Sequence, residues 1–279
     1  MNHEKVWFVT GASKGLGLIL CKQLLAAGAM VAATSRDKIA LETAVDVKSE
    51  HFLPLVADLG SEDSVRQAVQ KTLEQFGRID VVVNNAGFGQ IGTLEELTDS
   101  EVKKSFEINV FGMLNVIRNV MPHLRSQKHG HIINISSMAG IQGYIPGWGV
   151  YCAAKFAVAG MTEALAAEVG DFNINVTLVY PGHMRTNFLS SDSIMSAKNP
   201  LSEYQSIREN EKMAKEQMNG HQIGDPEKAA ALLIKISNET NPPLHYFIGE
   251  DVYKAALSKI KTITESLEAR KTDTLSISF

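Results

Sequence analysis

Short apolar runs alternate with amphipathic stretches along roughly the first 180 residues of the chain. The runs are rich in β-branched residues and almost continuously apolar, which is typical of strands buried on both faces of a parallel sheet. They lie at Val6–Thr10, Met30–Thr34, Phe52–Val56, Val81–Val83, His131–Ile135 and Val176–Val179. The stretches between them have helical periodicity. They lie at Leu16–Ala27, Ile39–Val47, Asp63–Phe76, Glu101–Leu124 and Gly149–Val169. The alternation predicts an α/β fold, a doubly wound parallel sheet with right-handed crossovers and helices on both faces.

The last hundred residues follow a different pattern. Residues 188–222 are polar and irregular, and a long insertion of this kind in an α/β domain predicts a substrate-binding lid. Asp225–Pro226 is typical of a helix start, with an N-cap residue followed by proline. Leu244–Ile248 is predicted as a final strand, and the segment 249–279 as a C-terminal helix with a polar tail. Because no linker or internal repeat interrupts the chain, residues 1–279 are predicted to form a single domain.

Composition narrows the class of protein. Apolar residues make up 44% and charged residues 21%, as in ordinary globular proteins. The formal net charge of -4 and the isoelectric point near 6.1 argue against a nucleic-acid partner. Two cysteines, Cys21 and Cys152, indicate a reducing compartment rather than a disulfide framework. With no uncharged apolar run of about 18 residues and no leader-like start, we expect a cytoplasmic protein with no membrane partner.

A glycine-rich loop joins the first predicted strand to the first predicted helix. Glycines let the backbone approach a pyrophosphate closely, and the helix start supplies free N–H groups. The spacing is G-x-x-x-G-x-G, which differs from the usual dinucleotide fingerprint and from a Walker loop. A glycine turn that only closes the strand–helix unit is the alternative. The residues predicted to hold the cofactor here are Gly11, Ser13, Lys14, Gly15, Leu16 and Gly17.

Cofactor choice is expected at the end of the second strand. An acidic residue there would bind a ribose 2′-hydroxyl, whereas a basic residue accommodates a 2′-phosphate. Arg36 occupies this place and Lys14 adds a second cation, so NADP(H) is predicted over NAD(H). Asp37 is better placed as an N-cap of the next helix, although it leaves NAD(H) use open.

Tyr151 and Lys155 lie four residues apart at the start of an Ala-rich apolar stretch. This spacing places both side chains on one face of a helix. A neighbouring ammonium favours the phenolate and is expected to lower the pKa of the tyrosine, so the pair can donate and accept a proton. A surface neighbour pair without function has the same spacing.

Together these motifs resemble those of the short-chain dehydrogenase/reductase family over roughly residues 5–250. The resemblance rests on Thr10–Gly17, Asp58, Asn84–Gly87, Asn109, Ile135–Ser137, Tyr151 with Lys155, and Pro181–Gly182. It implies a single-domain, Rossmann-like fold of about seven strands. The end of the resembling region, Phe247–Asp251, is similar to bacterial members of the family known only as oxidoreductases.

The resemblance implies a catalytic tetrad. Tyr151 would act as the general acid in ketone reduction and the base in alcohol oxidation, with Lys155 lowering its pKa and bonding the nicotinamide ribose. Ser137 would hold the substrate oxygen, and Asn109 would support a water that links Lys155 to solvent. The remaining cofactor contacts that it implies are Asp58 and Leu59 at the adenine, Asn85, Ala86 and Gly87 along the adenosine, and Pro181, Gly182, Met184 and Thr186 at the nicotinamide.

One position departs from the family pattern. The family serine lies thirteen residues before the tyrosine, which would fall on Met138. Ser137 lies fourteen residues before, so one extra residue is inferred in the loop 140–149. Ser136 is the alternative, although a hydroxyl that faces inward from the strand explains it better.

Several other residues were weighed. His129 and His131 lack a third ligand at metal spacing, so no metal site is predicted. His183 follows the predicted nicotinamide contacts and is a candidate substrate contact. Met195, Met213 and Met218 fit either an apolar substrate pocket or the packing of a lid helix.

The sequence therefore predicts an NADP(H)-dependent oxidoreductase that reversibly reduces a small-molecule ketone or aldehyde to an alcohol. Within enzymes, a 3-oxoacyl-thioester or steroid-type reductase would use the same tetrad. A non-catalytic NADP-binding regulator is the alternative of a different class. By analogy with the family, a homodimer or homotetramer is expected through the helices predicted at 101–124 and 149–169.

Overall fold

The computed structural model describes residues 5–277. Nine strands are described in this range. They are β1 Val6–Val9, β2 Met30–Ser35, β3 Phe52–Val56, β4 Val81–Asn84, β5 Gly89–Ile91, β6 Gly130–Ile135, β7 Ile174–Pro181, β8 Ile194–Ser196 and β9 His245–Ile248. The α-helices described in the same range are α1 Gly15–Ala26, α2 Lys38–Val45, α3 Glu62–Phe76, α4 Asp99–Phe106, α5 Gly112–Gln127, α6 Gly149–Glu168, α7 Gln205–Met213, α8 Pro226–Ile236, α9 Glu250–Ala269 and α10 Lys271–Leu275.

Seven of the strands form one parallel sheet in the order β3-β2-β1-β4-β6-β7-β9. This confirms the predicted doubly wound α/β fold. The chain runs outward from β1 to β3, then returns to the other side of β1 with β4. At that reversal the chain leaves β1 and β4 toward opposite edges of the sheet, and a crevice is expected at the carboxyl ends of these strands.

The core lies on both faces of the sheet because successive strand residues point to opposite sides. On one face Phe8 and Val82 pack in a cluster with α3, α5 and α6. On the other, Val9 and Val83 pack in a cluster with α1 and α8. All four side chains are fully buried, which explains why these strands carry no polar alternation.

Two features were not predicted. The helix expected at 101–124 is divided into α4 and α5 by a π-helical segment, Glu107–Phe111. A second, two-stranded parallel sheet pairs β5 with β8, so Gly89–Ile91 is joined to the segment predicted as a lid. Both features lie beside the crevice.

One described helix, α6, is long and apolar enough to cross a membrane, with a mean hydropathy of 1.2. Half of that stretch is buried inside the domain, and the core helix of a globular protein meets the same test. Among residues 5–277 no group of three or more His, Cys, Asp or Glu side chains is placed to hold a metal ion. The two histidines considered as metal ligands have separate partners: His129 bonds Asp80 and His131 bonds Thr177.

Candidate active site

The glycine loop is tied to the end of the neighbouring strand. Gly11 has a φ of +66°, and a Cβ at this position would lie 2.7 Å from the Cα of Ala86. A Cβ on Gly17 would lie 2.5 Å from both the Gly11 carbonyl oxygen and the Asn85 amide nitrogen. That amide donates to the carbonyls of Thr10 and Gly11 at 3.0 Å. Side chains at either glycine would therefore separate the loop from β4.

The start of α1 is open to a ligand. Its N-cap residue, Lys14, makes no capping hydrogen bond with its side chain. The first backbone N–H groups of α1 therefore have no side-chain acceptor from the N-cap. A cavity of about 910 Å³ begins here, and its lining includes Gly11, Ser13, Lys14, Gly15 and Leu16. Gly17 does not line the cavity and acts through its contact with Asn85. The loop thus has the shape that a dinucleotide pyrophosphate requires.

The far end of the cavity carries the predicted selectivity residue. Arg36, Asp58 and Leu59 all line it. Asp37 instead accepts a hydrogen bond from the backbone N–H of Ala40 at 3.0 Å, which confirms its predicted role as the N-cap of α2. Its carboxylate is therefore engaged by the helix, and the side chain presented to the cavity is a guanidinium.

The predicted tyrosine and lysine lie together in the same cavity. Tyr151 and Lys155 are 5% exposed each and sit one turn apart on α6. The Lys155 ammonium donates to the Ile135 carbonyl at 3.0 Å and lies 5.8 Å from the centre of the Tyr151 ring. Trp148 packs edge-on against that ring at 5.5 Å. A surface pair is excluded because both side chains are buried.

Burial dominates the proton affinities of this pair. It raises the pKa of Tyr151 well above its ordinary value, and a hydrogen bond with Ser137 only partly opposes this. The direction is the reverse of the one predicted from the neighbouring lysine, because desolvation by burial is the largest influence on the phenol. Burial also lowers the pKa of Lys155 to about 8. Tyr151 is therefore held in its protonated form, which can donate.

The two candidate serines have different partners. Both line the cavity, and Ser137 bonds with Tyr151 and accepts from the Ala139 N–H at 3.1 Å. The Ser136 hydroxyl donates to the backbone carbonyl of Lys155 at 3.1 Å and is buried. The geometry favours Ser137 as the group that meets a substrate oxygen.

Asn109 lies behind the site, within the π-helical segment. Its side-chain N–H₂ donates to the carbonyls of Phe88 and Ser105, and its oxygen accepts from the Phe88 N–H. A Cβ on Gly87 would lie 2.6 Å from that oxygen. The Asn109 side chain does not line the cavity. It fixes the backbone of Phe88 and of Gly87, the last of the predicted adenosine contacts.

The segment after β7 forms the opposite wall. Pro181, Gly182, Met184 and Thr186 line the cavity as predicted for nicotinamide contacts, and His183 lines it too. The sequence interpretation missed Asp251, in the first turn of α9. Its carboxylate accepts from the backbone N–H of His183 at 2.7 Å and bonds the imidazole at 2.8 Å. An acidic first turn after a strand is an ordinary helix start, so the sequence carried no signal for this contact.

The lid segment closes the cavity above Tyr151. Apolar side chains from this segment and from the loop before α6 line the mouth of the cavity. They are Ile145, Trp148, Phe188, Met195, Met213 and Met218. The three methionines are 52%, 46% and 38% exposed, so the pocket interpretation is favoured over burial in a lid core.

Buried charges hold the lid to the domain. The Glu96 side chain is fully buried and accepts from the backbone N–H groups of Thr93 and Leu201 and from the Arg208 guanidinium at 3.0 Å. Burial acts to raise the pKa of Glu96, but these hydrogen bonds and the cation outweigh it and hold the pKa below its ordinary value. Glu101 likewise accepts from the Lys198 N–H at 3.0 Å. Leu201, Arg208 and Lys198 lie about a hundred residues from the carboxylates they contact, and nothing in the local sequence marks these contacts.

A family profile described as "short chain dehydrogenase" matches residues 5–196. The chain belongs to the short-chain dehydrogenase family. It is therefore an oxidoreductase, and its fold is one that binds nicotinamide cofactors. The match covers the glycine loop, the tetrad positions and the start of the lid, while α7 to α10 lie beyond it.

Named relatives of this short-chain dehydrogenase cover nearly the whole chain. It is 39% identical to a "3-ketodihydrosphingosine reductase" of Bacteroides thetaiotaomicron, over 88% of each chain. It is 35% identical to "Oxidoreductase BOA17" of Botryotinia fuckeliana, over 95% of this chain and 96% of that one. A solved short-chain dehydrogenase from Streptomyces avermitilis superposes with a TM-score of 0.89 at 30% identity, over 98% of this chain and 100% of that chain.

Solved structures of this fold contain different nicotinamide cofactors. A 3-ketoacyl-(acyl-carrier-protein) reductase from Brucella melitensis is complexed with NADH, at 25% identity, a TM-score of 0.71 and 87% and 96% of the two chains. The fold match ElxO has NADP bound, at 23% identity, a TM-score of 0.72 and 88% and 97% coverage. The fold alone therefore does not choose between the two cofactors.

Proposed function

We propose that this short-chain dehydrogenase is an NADP(H)-dependent reductase of apolar ketones that works reversibly on the corresponding alcohols. One observation carries the proposal: the glycine loop, Arg36, Ser137, Tyr151 and the methionine-lined mouth all open into the same cavity. The nicotinamide would supply the hydride. The chain supplies a proton and a place for the negative charge that develops on the carbonyl oxygen.

Each group has a defined task in this reaction. The Ser137 hydroxyl donates to the substrate oxygen, and Tyr151 donates the proton that turns it into an alcohol. Its raised pKa keeps the proton on the phenol until negative charge develops on the substrate oxygen. Lys155, with a pKa of about 8, is mostly charged at neutral pH and supports that charge from the inner side of α6.

The NADP(H) preference rests on charge at the far end of the cavity. Arg36 lies there, Lys14 lines the same cavity at the glycine loop, and Asp37 is engaged as an N-cap. A charge-assisted contact with a 2′-phosphate is worth about 1.5–3 kcal/mol, or roughly tenfold to more than a hundredfold in affinity. We expect Arg36→Ala to raise KM for NADPH by about that factor while KM for NADH changes little. Equal use of both cofactors by the unaltered enzyme would contradict the preference.

The substrate class follows from the mouth of the cavity. Methionine side chains accommodate flexible apolar groups, and Ile145, Trp148 and Phe188 extend the apolar surface toward Tyr151. The name of the Bacteroides relative, "3-ketodihydrosphingosine reductase", supports an apolar ketone over a small charged acid. A 3-oxoacyl or steroid-type ketone belongs to the same chemical range.

The direct test follows NADPH absorbance with ketones of increasing alkyl length. We expect kcat/KM to rise with chain length, and Tyr151→Phe to lose about 10³-fold in kcat while still binding NADPH. Met213→Glu should weaken the binding of long ketones more than the binding of short ones. If the folded protein binds NADPH but turns over no ketone, aldehyde or alcohol, it is a nucleotide-binding regulator and the proposal fails.

A further inference from the structure

Helix α9 carries an apolar stripe that no part of residues 5–277 covers. Tyr253, Leu257, Ile260, Ile263 and Leu267 recur at intervals of three and four residues, so they share one face of the helix. Their side chains are 60%, 50%, 55%, 48% and 57% exposed. Exposed apolar surface arranged in one contiguous patch marks an interaction surface more often than scattered single residues do. We call these five residues the α9 stripe.

The helix leaves the domain soon after it begins. Val252 and Ala256 are its buried residues and attach its first two turns to the domain. From residue 261 onward every described position is exposed. A 20-residue helix is about 30 Å long, so its second half extends into solvent as an unpaired amphipathic rod.

The charges beside the α9 stripe indicate what binds there. Along one flank of the helix lie two basic residues, Lys254 and Lys261, followed by two acidic residues, Glu265 and Glu268. In an antiparallel pair the same flanks of the two helices face each other, so with a two-fold axis near residue 263 the Lys261 of each copy faces Glu265 of the other, whereas in a parallel pair this flank faces the opposite flank of the partner. The Lys261 side chain is 76% exposed and its ammonium lies 3.8 Å from Glu265 of the same helix, so both charged groups lie together on the exposed flank.

The overall charge of the segment argues against an anionic lipid surface. Five basic residues between 250 and 273 are balanced by five acidic ones. They are Lys254, Lys259, Lys261, Arg270 and Lys271 against Glu250, Asp251, Glu265, Glu268 and Asp273. Helices that bind anionic lipid carry an excess of lysine and arginine on the polar face.

We propose that the α9 stripe binds the α9 stripe of a second copy of this chain, antiparallel about a two-fold axis close to residue 263. Such a contact is isologous, and Lys261 of each copy pairs with Glu265 of the other beside its apolar centre. It is separate from the contact through α5 and α6 that the family resemblance implies. It also does not depend on the proposed reaction, because no residue of the α9 stripe lines the cavity.

The first experiment removes the apolar contact from the full chain. Ile260→Glu with Ile263→Glu should weaken association by at least about 30-fold, lowering the mass in light scattering by one two-fold step. Thr262→Glu places the same side chain on the opposite face and should leave the mass unchanged. Circular dichroism and NADPH binding confirm that each variant is folded.

The second experiment tests direction. Lys254→Glu with Lys261→Glu makes the flank acidic, and Glu265→Lys with Glu268→Lys makes it basic. Each variant alone should associate about tenfold more weakly than the unaltered chain, and an equimolar mixture of the two should restore the association. A parallel pair would not be rescued in this way.

Three results would overturn the proposal. The unaltered chain could be a single copy at all concentrations, the Ile260/Ile263 variant could keep the original mass, or the mixture could associate no better than its parts. Sedimentation with phosphatidylcholine vesicles tests whether the α9 stripe binds a membrane instead of a second copy. The stripe would be a membrane surface if a chain of single-copy mass bound the vesicles and the two isoleucine substitutions abolished that binding.

Discussion

The floor and the cover of the cavity are built on different physical principles. The floor is backbone: the glycine loop meets β4 at distances that only glycine permits, and Asn85 joins the two with hydrogen bonds to main-chain carbonyls. The cover is held by side chains, chiefly the buried Glu96 with Arg208. A floor made of backbone tolerates no change of shape, whereas a cover held by charges can be loosened one contact at a time.

Among the four predictions that follow, the largest effect is expected at Ser137, which lines the cavity. Ser137→Ala removes a donor to the developing oxyanion and should lower kcat by about 10²–10³-fold. Ser136→Ala is the matched control, because that hydroxyl donates only to the Lys155 carbonyl. Steady-state rates of NADPH oxidation measure both. If Ser136→Ala proves the more damaging variant, the assignment of the two serines is reversed.

In the floor, Gly17→Ala should lower NADPH affinity by about 100-fold. The added methyl group overlaps the Gly11 carbonyl and the Asn85 amide, so the loop must move out of the shape that receives a pyrophosphate. Fluorescence titration with NADPH measures the loss. Gly160→Ala, at a helix position where a Cβ meets nothing within 4 Å, serves as the control and should bind normally.

In the cover, Glu96→Gln should raise KM for an apolar ketone by about tenfold while NADPH affinity stays within about twofold. The substitution removes one of the two carboxylates paired with the Arg208 guanidinium, leaving Glu211, and loosens the tie between α7 and the domain. Hydrogen exchange over residues 188–222 should rise in parallel. Glu95→Gln is the neighbouring control, since Glu95 bonds Tyr204 at the surface. Equal losses of ketone and NADPH binding would show that floor and cover are not separable.

The smallest effect is expected from pH. Lys155 has a pKa lowered to about 8, so its charge is present below that pH and is lost above it, while Tyr151 stays protonated because its own pKa is raised. The rate of ketone reduction should therefore fall to about half of its maximum near pH 8. A pH–rate profile at saturating NADPH measures this. A rate that stays flat to pH 10 would show that the ammonium contributes nothing to the step.

The same contrast explains what could be predicted from the sequence. The Gly11–Gly17 spacing and the Asp37 cap lie within short stretches of the chain and were visible as local patterns, whereas the contact of the glycine loop with Asn85 is made only by the fold. The cover depends on partners such as Glu96 and Arg208, which are joined only by the fold. The pKa of Tyr151 is raised where the sequence predicted that it would be lowered, for a related reason. Burial is a property of the folded chain, whereas the spacing to Lys155 indicates only a neighbouring charge.

The π-helical turn at Glu107–Phe111 has a consequence for protein engineering. One residue more than an α-helical turn needs is accommodated there, and the surplus directs the Asn109 amide at the Phe88 backbone. Each residue advances an α-helix by about 100°, so a chain shortened by one position in this turn would relax to regular winding and carry the asparagine around the cylinder. Homologues or designs with a single-codon deletion here would keep every other member of the tetrad and still lose the support behind Gly87.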